Sequence, residues 1–472
     1  MLWERDDENE HSSFDLLDDH CCYEILRWLP LDDLCDLSRT CMRMHRLCSS
    51  QFKLEYPSKV IHFTGIENGT LVKEPNREKY IQSFEKSIQR LVLHGELLAS
   101  NVGAVNRFYN QDKSTNGLIK EIQFTEWEKP LDSRNIGRPL ADLLKNVETV
   151  TLDNVWINVD WYDSILQYTP NIKCLKVKFR CIFEERQNWL KTVYPNIKSF
   201  EYHTIERPNI DTLITFLQSN PSIQHFSLFS YSSEDVRFIA KNVKIHELFY
   251  EIFEHDIDVL MKELNALDEI TEYQDINLHL LIGGSCTASE DELVKALLPL
   301  QSNIVGLYFP DITIGEKLAT TISKFENVRV LMLNKCQNKN VLAQIPNLEE
   351  LYFARPIQDK EFDDIYDTML TFVRTSVKLT KICLREHHVP LTKFDFAQFD
   401  QERMKLKGAR KLKFYIKSDF DEMGNFYLVK RTFNLIEIIR SETEPPSNAH
   451  FTHQNCMFID FSDVDRGFAY FV

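Results

Sequence analysis

The chain has 472 residues, 43% hydrophobic and 12% aromatic, enough to bury a large core in roughly one to four domains. Its 71 acidic and 55 basic residues leave a formal charge of -16, which repels nucleic acid and anionic membranes at long range. Glycine is scarce, 13 residues in all, which argues against folds that bring backbone close around a phosphate.

The start, MLWERDDENEHSS, is charged and carries no apolar h-region, so it does not read as a signal peptide; residues 1–13 are expected to form a disordered acidic tail. No apolar run approaches the ~18 residues that a membrane helix needs. There are 11 cysteines, an odd count, with five crowded between Cys21 and Cys48. Without a secretory signal they read as thiols, and the expected location is cytoplasmic and/or nuclear. The Asn68-Gly69-Thr70 sequon then has no role.

Residues 14–56 form the next expected unit. Cys22, Ile25, Leu26 and Leu29 recur at i, i+3, i+4 and i+7, one stripe of a helix. Pro30 stops it, because proline lacks an N–H and restricts the residue before it. Asp32 or Asp33 is placed to cap a second helix, with Leu34, Leu37 and Cys41 on one face. A third helix carries Met44, Leu47, Cys48 and Phe52. Three helices of about ten residues bury little area. Their apolar residues outnumber what one inner face hides, which points to a partner; a plain N-terminal cap on the following domain stays open from spacing alone.

This stretch resembles an F-box. Leu17, Ile25, Leu29, Pro30, Leu34, Leu37 and Cys41 stand at matching places, with Arg43 following. Asp18 replaces the opening proline, Thr40 a valine, and Met44 sits where Trp or Phe is usual. The resemblance implies docking to the Skp1-type adaptor of a cullin–RING ubiquitin ligase through Leu17, Ile25, Leu26, Leu29, Pro30, Leu34, Leu37, Cys41 and Met44.

Residues 57–417 repeat a unit. Lys59 to Phe63 reads as a first strand. Then an apolar residue, two variable ones, an apolar, a variable and an apolar one recur, often after Asn or Pro-Asn. Copies include Ile88-Leu91-Leu93, Ile119-Ile122-Phe124, Val147-Val150-Leu152, Ile172-Leu175-Val177, Ile197-Phe200-Tyr202, Ile223-Phe226-Leu228 and Ile245-Leu248-Tyr250. Register is ambiguous next: Leu267 and Ile270, or Tyr273, Ile276 and Leu278. The series resumes at Ile304-Leu307-Phe309, Val328-Leu331-Leu333, Leu348-Leu351-Phe353 and Leu379-Ile382-Leu384, and weakens at Ala409-Leu412-Phe414. Helical patterns lie between, at Ile210–Leu217, at Asp359–Val373, and at Ser289–Leu298, which opens on a Ser289/Glu292 capping box. Such a period marks a solenoid, since one unit cannot bury its own face. The pattern resembles a leucine-rich repeat. The expected fold is therefore α/β: an N-terminal three-helix F-box-like cluster, then an irregular leucine-rich-repeat horseshoe, then a C-terminal cap over residues 418–472, with a strand and a helix within Phe426 to Arg440 and a last strand at Met457 to Phe461.

No GxxxxGK[ST], GxSxG, HExxH or CxxC pair occurs. Cys35, Cys41 and Cys48 with His45 are too widely spaced for zinc and fall at core positions. His387-His388 reads as a loop, and Gly283-Gly284-Ser285 as a turn. No metal or cofactor is expected. Side chains alternate along a strand, so residues between the anchors face the concave side. Lys176, Lys178, Glu201, His203, His225, Phe229, Glu247, Phe249, Glu251, Tyr308, Met332 and Tyr352 are expected there, an exposed row of aromatics between charges suited to protein binding. The expected function is a non-catalytic substrate-recognition subunit of an SCF-type ubiquitin ligase, reaching cullin and RING protein through the adaptor and holding a target protein on the repeats. The alternative is an interaction scaffold that assembles with no cullin.

Overall fold

The structure, a computed structural model, describes residues 17–56, 60–63, 66–67, 70–71, 83–84, 87–94, 119–127, 137–155, 159–179, 188–204, 210–229, 233–252, 257–283, 289–354, 362–384, 394–416 and 433–440. The chain is α/β, with an N-terminal helical cluster and parallel strands. It divides into two compact units, Met1–Ile172 with Glu422–Lys430, and Lys173–Asp421 with Arg431–Val472. The expected tail and the strand at Met457 to Phe461 lie outside the described residues, as do His387-His388 and most of 418–472.

The first unit opens with α1 (Asp19–Leu26), α2 (Leu31–Ser38) and α3 (Met42–Glu55). The Asp18 carboxylate caps α1 by accepting from the Cys21 N–H at 2.7 Å. That bond, the largest cause, holds its pKa below the usual carboxylate value. The helix ends at Leu26, so Leu29 lies beyond it. Asp32 and Asp33 do not cap α2. Pro30 is its N-cap residue, and the two acids sit in the first turn, where their charge complements the helix dipole instead. Cys22, Leu26, Leu34, Cys35, Met44, Leu47, Cys48 and Phe52 fill the cluster's interior. Arg43 and Arg46 of α3 both grip the Asp19 carboxylate at 2.9 Å, tying α3 to the start of α1. Burial pushes the Cys48 thiol up to about 12, so it packs as a small apolar group.

The strands of this unit are β1 (Val60–Phe63), β4 (Arg90–His94), β5 (Glu121–Trp127) and β6 (Thr149–Val155), parallel in that order, beside a small antiparallel pair, β2 (Ile66–Glu67) and β3 (Thr70–Leu71).

The second unit carries β7 (Cys174–Phe179), β8 (Ser199–Thr204), β9 (His225–Phe229), β10 (Glu247–Ile252), β11 (Asn277–Ile282), β12 (Ile304–Ile314), β13 (Val330–Cys336), β14 (Glu350–Phe353), β15 (Lys381–Leu384), β16 (Leu412–Ile416) and β17 (Ile436–Arg440). Each pairs in parallel with its successor. β11 resolves the ambiguous register in favour of Ile276 and Leu278. Leu267 and Ile270 belong to the helix Ile257–Tyr273. Each parallel step needs a crossover, and the intervening helices provide it. Leu248, Tyr250, Leu278, Leu280, Leu331, Leu333, Leu351 and Phe353 are buried towards them, and the Tyr250 hydroxyl donates to Glu263 of the helix Ile257–Tyr273 at 2.5 Å.

Residues leading into the strands join successive turns. Asn303 Nδ2 donates to the Ile276 carbonyl at 3.1 Å, Asn327 to Ser302 at 2.6 Å, and Asn347 to Glu326 at 2.5 Å. Ser222 makes the same link to Ile197 at 2.8 Å, and in the first unit Asn171 reaches Lys145 at 2.8 Å. The helix Glu290–Leu297 starts on the capping box of Ser289 and Glu292. Among the described residues, no helix is long and apolar enough to cross a membrane.

Candidate functional site

Two surfaces bring sequence-predicted residues together. The first is the outside of the helical cluster. Ile25 is 38% exposed, Trp28 42% and Met42 66%. Pro30 is exposed, and Leu17, Leu29, Leu37 and Cys41 are half-buried. Leu26, Leu34 and Met44, expected at the docking surface, are instead buried in the cluster's own core. The heptad-like stripe could not tell an inner face from an outer one when both are apolar. Trp28 and Met42 were missed. Trp28 is three residues past Ile25, a spacing that returns to the same side of a helical turn, and the Trp28 N–H donates to the Ile25 carbonyl at 3.0 Å. The Arg27 guanidinium lies 5.8 Å from its ring centroid.

The second surface is the sheet face of the second unit opposite the helices. The expected exposed aromatic row is corrected here. Phe249, Tyr308 and Tyr352 are buried, and so is Glu251. With Leu281, Val330, Met332, Ala354 and Cys383 the three aromatics form one apolar cluster, against which Tyr415 packs. The register explains it: Leu281, Tyr308, Met332, Tyr352, Cys383 and Tyr415 stand directly opposite one another on successive strands, so each fills the space beside the next. The side chains of His203 and Phe229 lie outside the described residues.

Ionisable groups on the same face pair across strands. Lys176 and Glu201 are 2.7 Å apart and buried. Burial raises the pKa of Glu251 well above the ordinary value, with Lys178 opposing and Glu201 adding to the rise. Glu247 accepts from the half-buried His225 on one oxygen and from His279 Nε2 on the other at 2.8 Å. Burial alone would raise its pKa, but the two imidazoles outweigh it and hold the carboxyl down to about 2. His279 Nδ1 lies 3.2 Å from the Tyr308 hydroxyl. Further along, Glu350 meets Lys381 at 3.2 Å and the Tyr352 hydroxyl at 2.5 Å. The Lys381 ammonium also donates to the Tyr352 oxygen at 2.9 Å and lies 5.2 and 5.4 Å from the Tyr352 and Tyr415 ring centroids. Burial pushes Tyr352 well above its usual range, so it stays a phenol.

Lys176 with Glu201, His225 and His279 with Glu247, and Lys381 with Glu350 are joined by short cross-strand contacts, an arrangement that fixes strand neighbours and shapes a face. Among the described residues, no group of three or more His, Cys, Asp or Glu is placed to hold a metal ion. No protein-family model matches this chain, and no curated protein matches its sequence.

Proposed function

We propose that the chain is a non-catalytic receptor subunit. In this reading the α1–α3 cluster docks on the Skp1-type adaptor of a cullin–RING ubiquitin ligase. The strand-helix units form an irregular leucine-rich-repeat solenoid that holds a target protein, and catalysis is proximity supplied by the assembled ligase. One observation carries the reading. A three-helix cluster whose interior is already filled leaves Ile25, Trp28 and Met42 in solvent, in the stretch that resembles an F-box.

The test uses the full-length protein and purified adaptor. Ile25→Asp with Trp28→Ala alters exposed side chains outside the buried core, so the cluster should stay folded while co-purification of the adaptor is lost. Leu34→Asp is a poor probe, because a carboxylate placed at that buried position breaks the cluster itself. Adaptor binding retained by the double variant, or absent from the wild type, overturns the docking assignment. A complex that takes up adaptor but no cullin selects the scaffold reading.

A further inference from the structure

Four consecutive strands are joined by one line of hydrogen bonds. His225 opens β9, Glu247 opens β10, His279 lies in β11 and Tyr308 in β12. His279 is 2% exposed and its ring stacks on Phe249, with centroids 4.1 Å apart and planes at 20°. Space for it is built into the neighbouring strand. Gly306 stands opposite His279, and a Cβ there would lie 2.3 Å from His279 Nδ1 and 2.9 Å from the Tyr308 ring.

The chemistry of the line fixes its protons. An ionised Glu247 only accepts, so His279 Nε2 carries a hydrogen and donates to it. A neutral ring then leaves Nδ1 as an acceptor, and the Tyr308 hydroxyl donates to it. The titratable groups around this ring are Glu247 on β10, His225 on β9, Tyr308 on β12 and Glu350 on β14, the last paired with Lys381 on β15; Glu251 stands four positions past Glu247 along β10, on the same face. Burial, the largest influence, lowers the His279 pKa from 6.5, against the pull of Glu247 and Glu350, while His225 adds to the lowering.

We propose that the His225–Glu247–His279–Tyr308 line is a proton-operated clasp on the sheet face, closed while His279 is neutral and opened when it takes a second proton. A proton arriving from solvent at Nδ1 converts that nitrogen from acceptor to donor. The bond from Tyr308 reverses, and a full positive charge is placed in a site sealed by Phe249 and the apolar cluster. The face of β10–β12 loosens, and with it the packing of Tyr308 on Met332. The inference stands apart from the adaptor-docking reading, since it concerns a different surface and needs no partner.

The sign follows from linkage. The open state titrates near 6.5 and the closed state lower, so the open state binds more protons as pH falls below 6.5. Opening should then grow by up to about tenfold per pH unit until the closed-state value is reached. The experiment is hydrogen–deuterium exchange on the full-length protein between about pH 7.5 and about pH 5.5, corrected for intrinsic exchange, a window above the ordinary carboxylates; Glu251, whose pKa burial raises, is present in wild type and variant alike, so any slope it causes is common to both. Amides of β10–β12 in the wild type should lose protection across it. His279→Gln keeps a donor for Glu247 but cannot titrate at that position, and should lose the wild-type slope there. A wild type that stays flat, or a His279→Gln protein with the wild-type slope, overturns the clasp. Should His279→Gln not fold, nitrogen-15 histidine NMR of the wild type decides. A neutral ring with hydrogen on Nε2 near pH 6.5 supports the clasp; a charged ring, or hydrogen on Nδ1, ends it.

Discussion

Arg403 shows how much one side chain can hold in this chain. It is fully buried in the helix Phe396–Lys405, and its guanidinium donates to the carbonyls of Val373, Ser376, Val377, Leu379 and Arg410, at 3.4, 2.7, 3.0, 2.6 and 3.2 Å. Burial lowers its pKa to about 10, which still leaves it charged at neutral pH. The planar fork reaches several carbonyls around one turn, at the end of the helix Phe362–Thr375 and the approach to β15. Arg403→Met removes every donor at once, and each buried carbonyl left without one costs about 1–3 kcal/mol. A loss of at least about 3 kcal/mol is expected in urea unfolding followed by the second unit's fluorescence. Arg403→Lys, with three donors on a point charge, should recover only part of it. Equal stability of Met and Lys variants would show that packing of the stem, and not the carbonyl bonds, explains the burial. The residue lies in a stretch with no motif, and a charged side chain in a helix reads from sequence as solvated. Nothing in its neighbours' identities announces that five main-chain oxygens converge on it.

At the scale of elements, the strands were legible because their anchors alternate. Leu248 and Tyr250, Leu331 and Leu333, and Leu351 and Phe353 all face the helices as their spacing requires. What alternation could not decide was the environment of the residues between them. A parallel strand buried on both faces reads as a near-continuous apolar run. β10 (ELFYEI), β11 (NLHLLI) and β14 (ELYF) are such runs, with five, five and four consecutive buried residues. Phe249 and Tyr352 were therefore a signal of two-sided burial and not of an exposed binding row. The Asn lead-ins were visible as a pattern without a cause. At Asn303, Asn327 and Asn347 their cause is the side-chain bond to the preceding turn, which adds a polar staple to those strand-to-strand steps. Asn327→Ala should cost about 1 kcal/mol, and Asn327→Ala with Asn303→Ala about twice that, because the two staple different steps. Denaturation midpoints measure it. A double variant as stable as the wild type would reduce the lead-ins to turn formers, favoured for their backbone alone.

At the scale of the whole molecule, the question is whether the N-terminal helices are a detachable module. Their periodicity suggests a unit ending near Tyr56, yet the compact unit that contains them runs on through the first strands. Phe52 of α3 stacks on Phe84 with ring centroids 4.4 Å apart, both rings are buried, and Ser83 Oγ approaches the Cys35 carbonyl at 3.5 Å. The join was illegible because a contact between positions as distant in sequence as Phe52 and Phe84 leaves no local trace. It has a consequence for any experiment that removes residues 1–56. Such a chain uncovers the Phe84 ring, and leaving a buried aromatic in water costs about 1.5–3 kcal/mol. Amides of β4, next in sequence, should exchange faster in the truncated chain than in the full-length protein, while those of β13 and β14 keep their protection. Ile25→Asp with Trp28→Ala, which leaves Phe52 in place, should keep β4 protected. If β4 exchanges alike in truncated and intact chains, the helices are separable after all, and the Phe52–Phe84 stack contributes nothing to the strands that follow it.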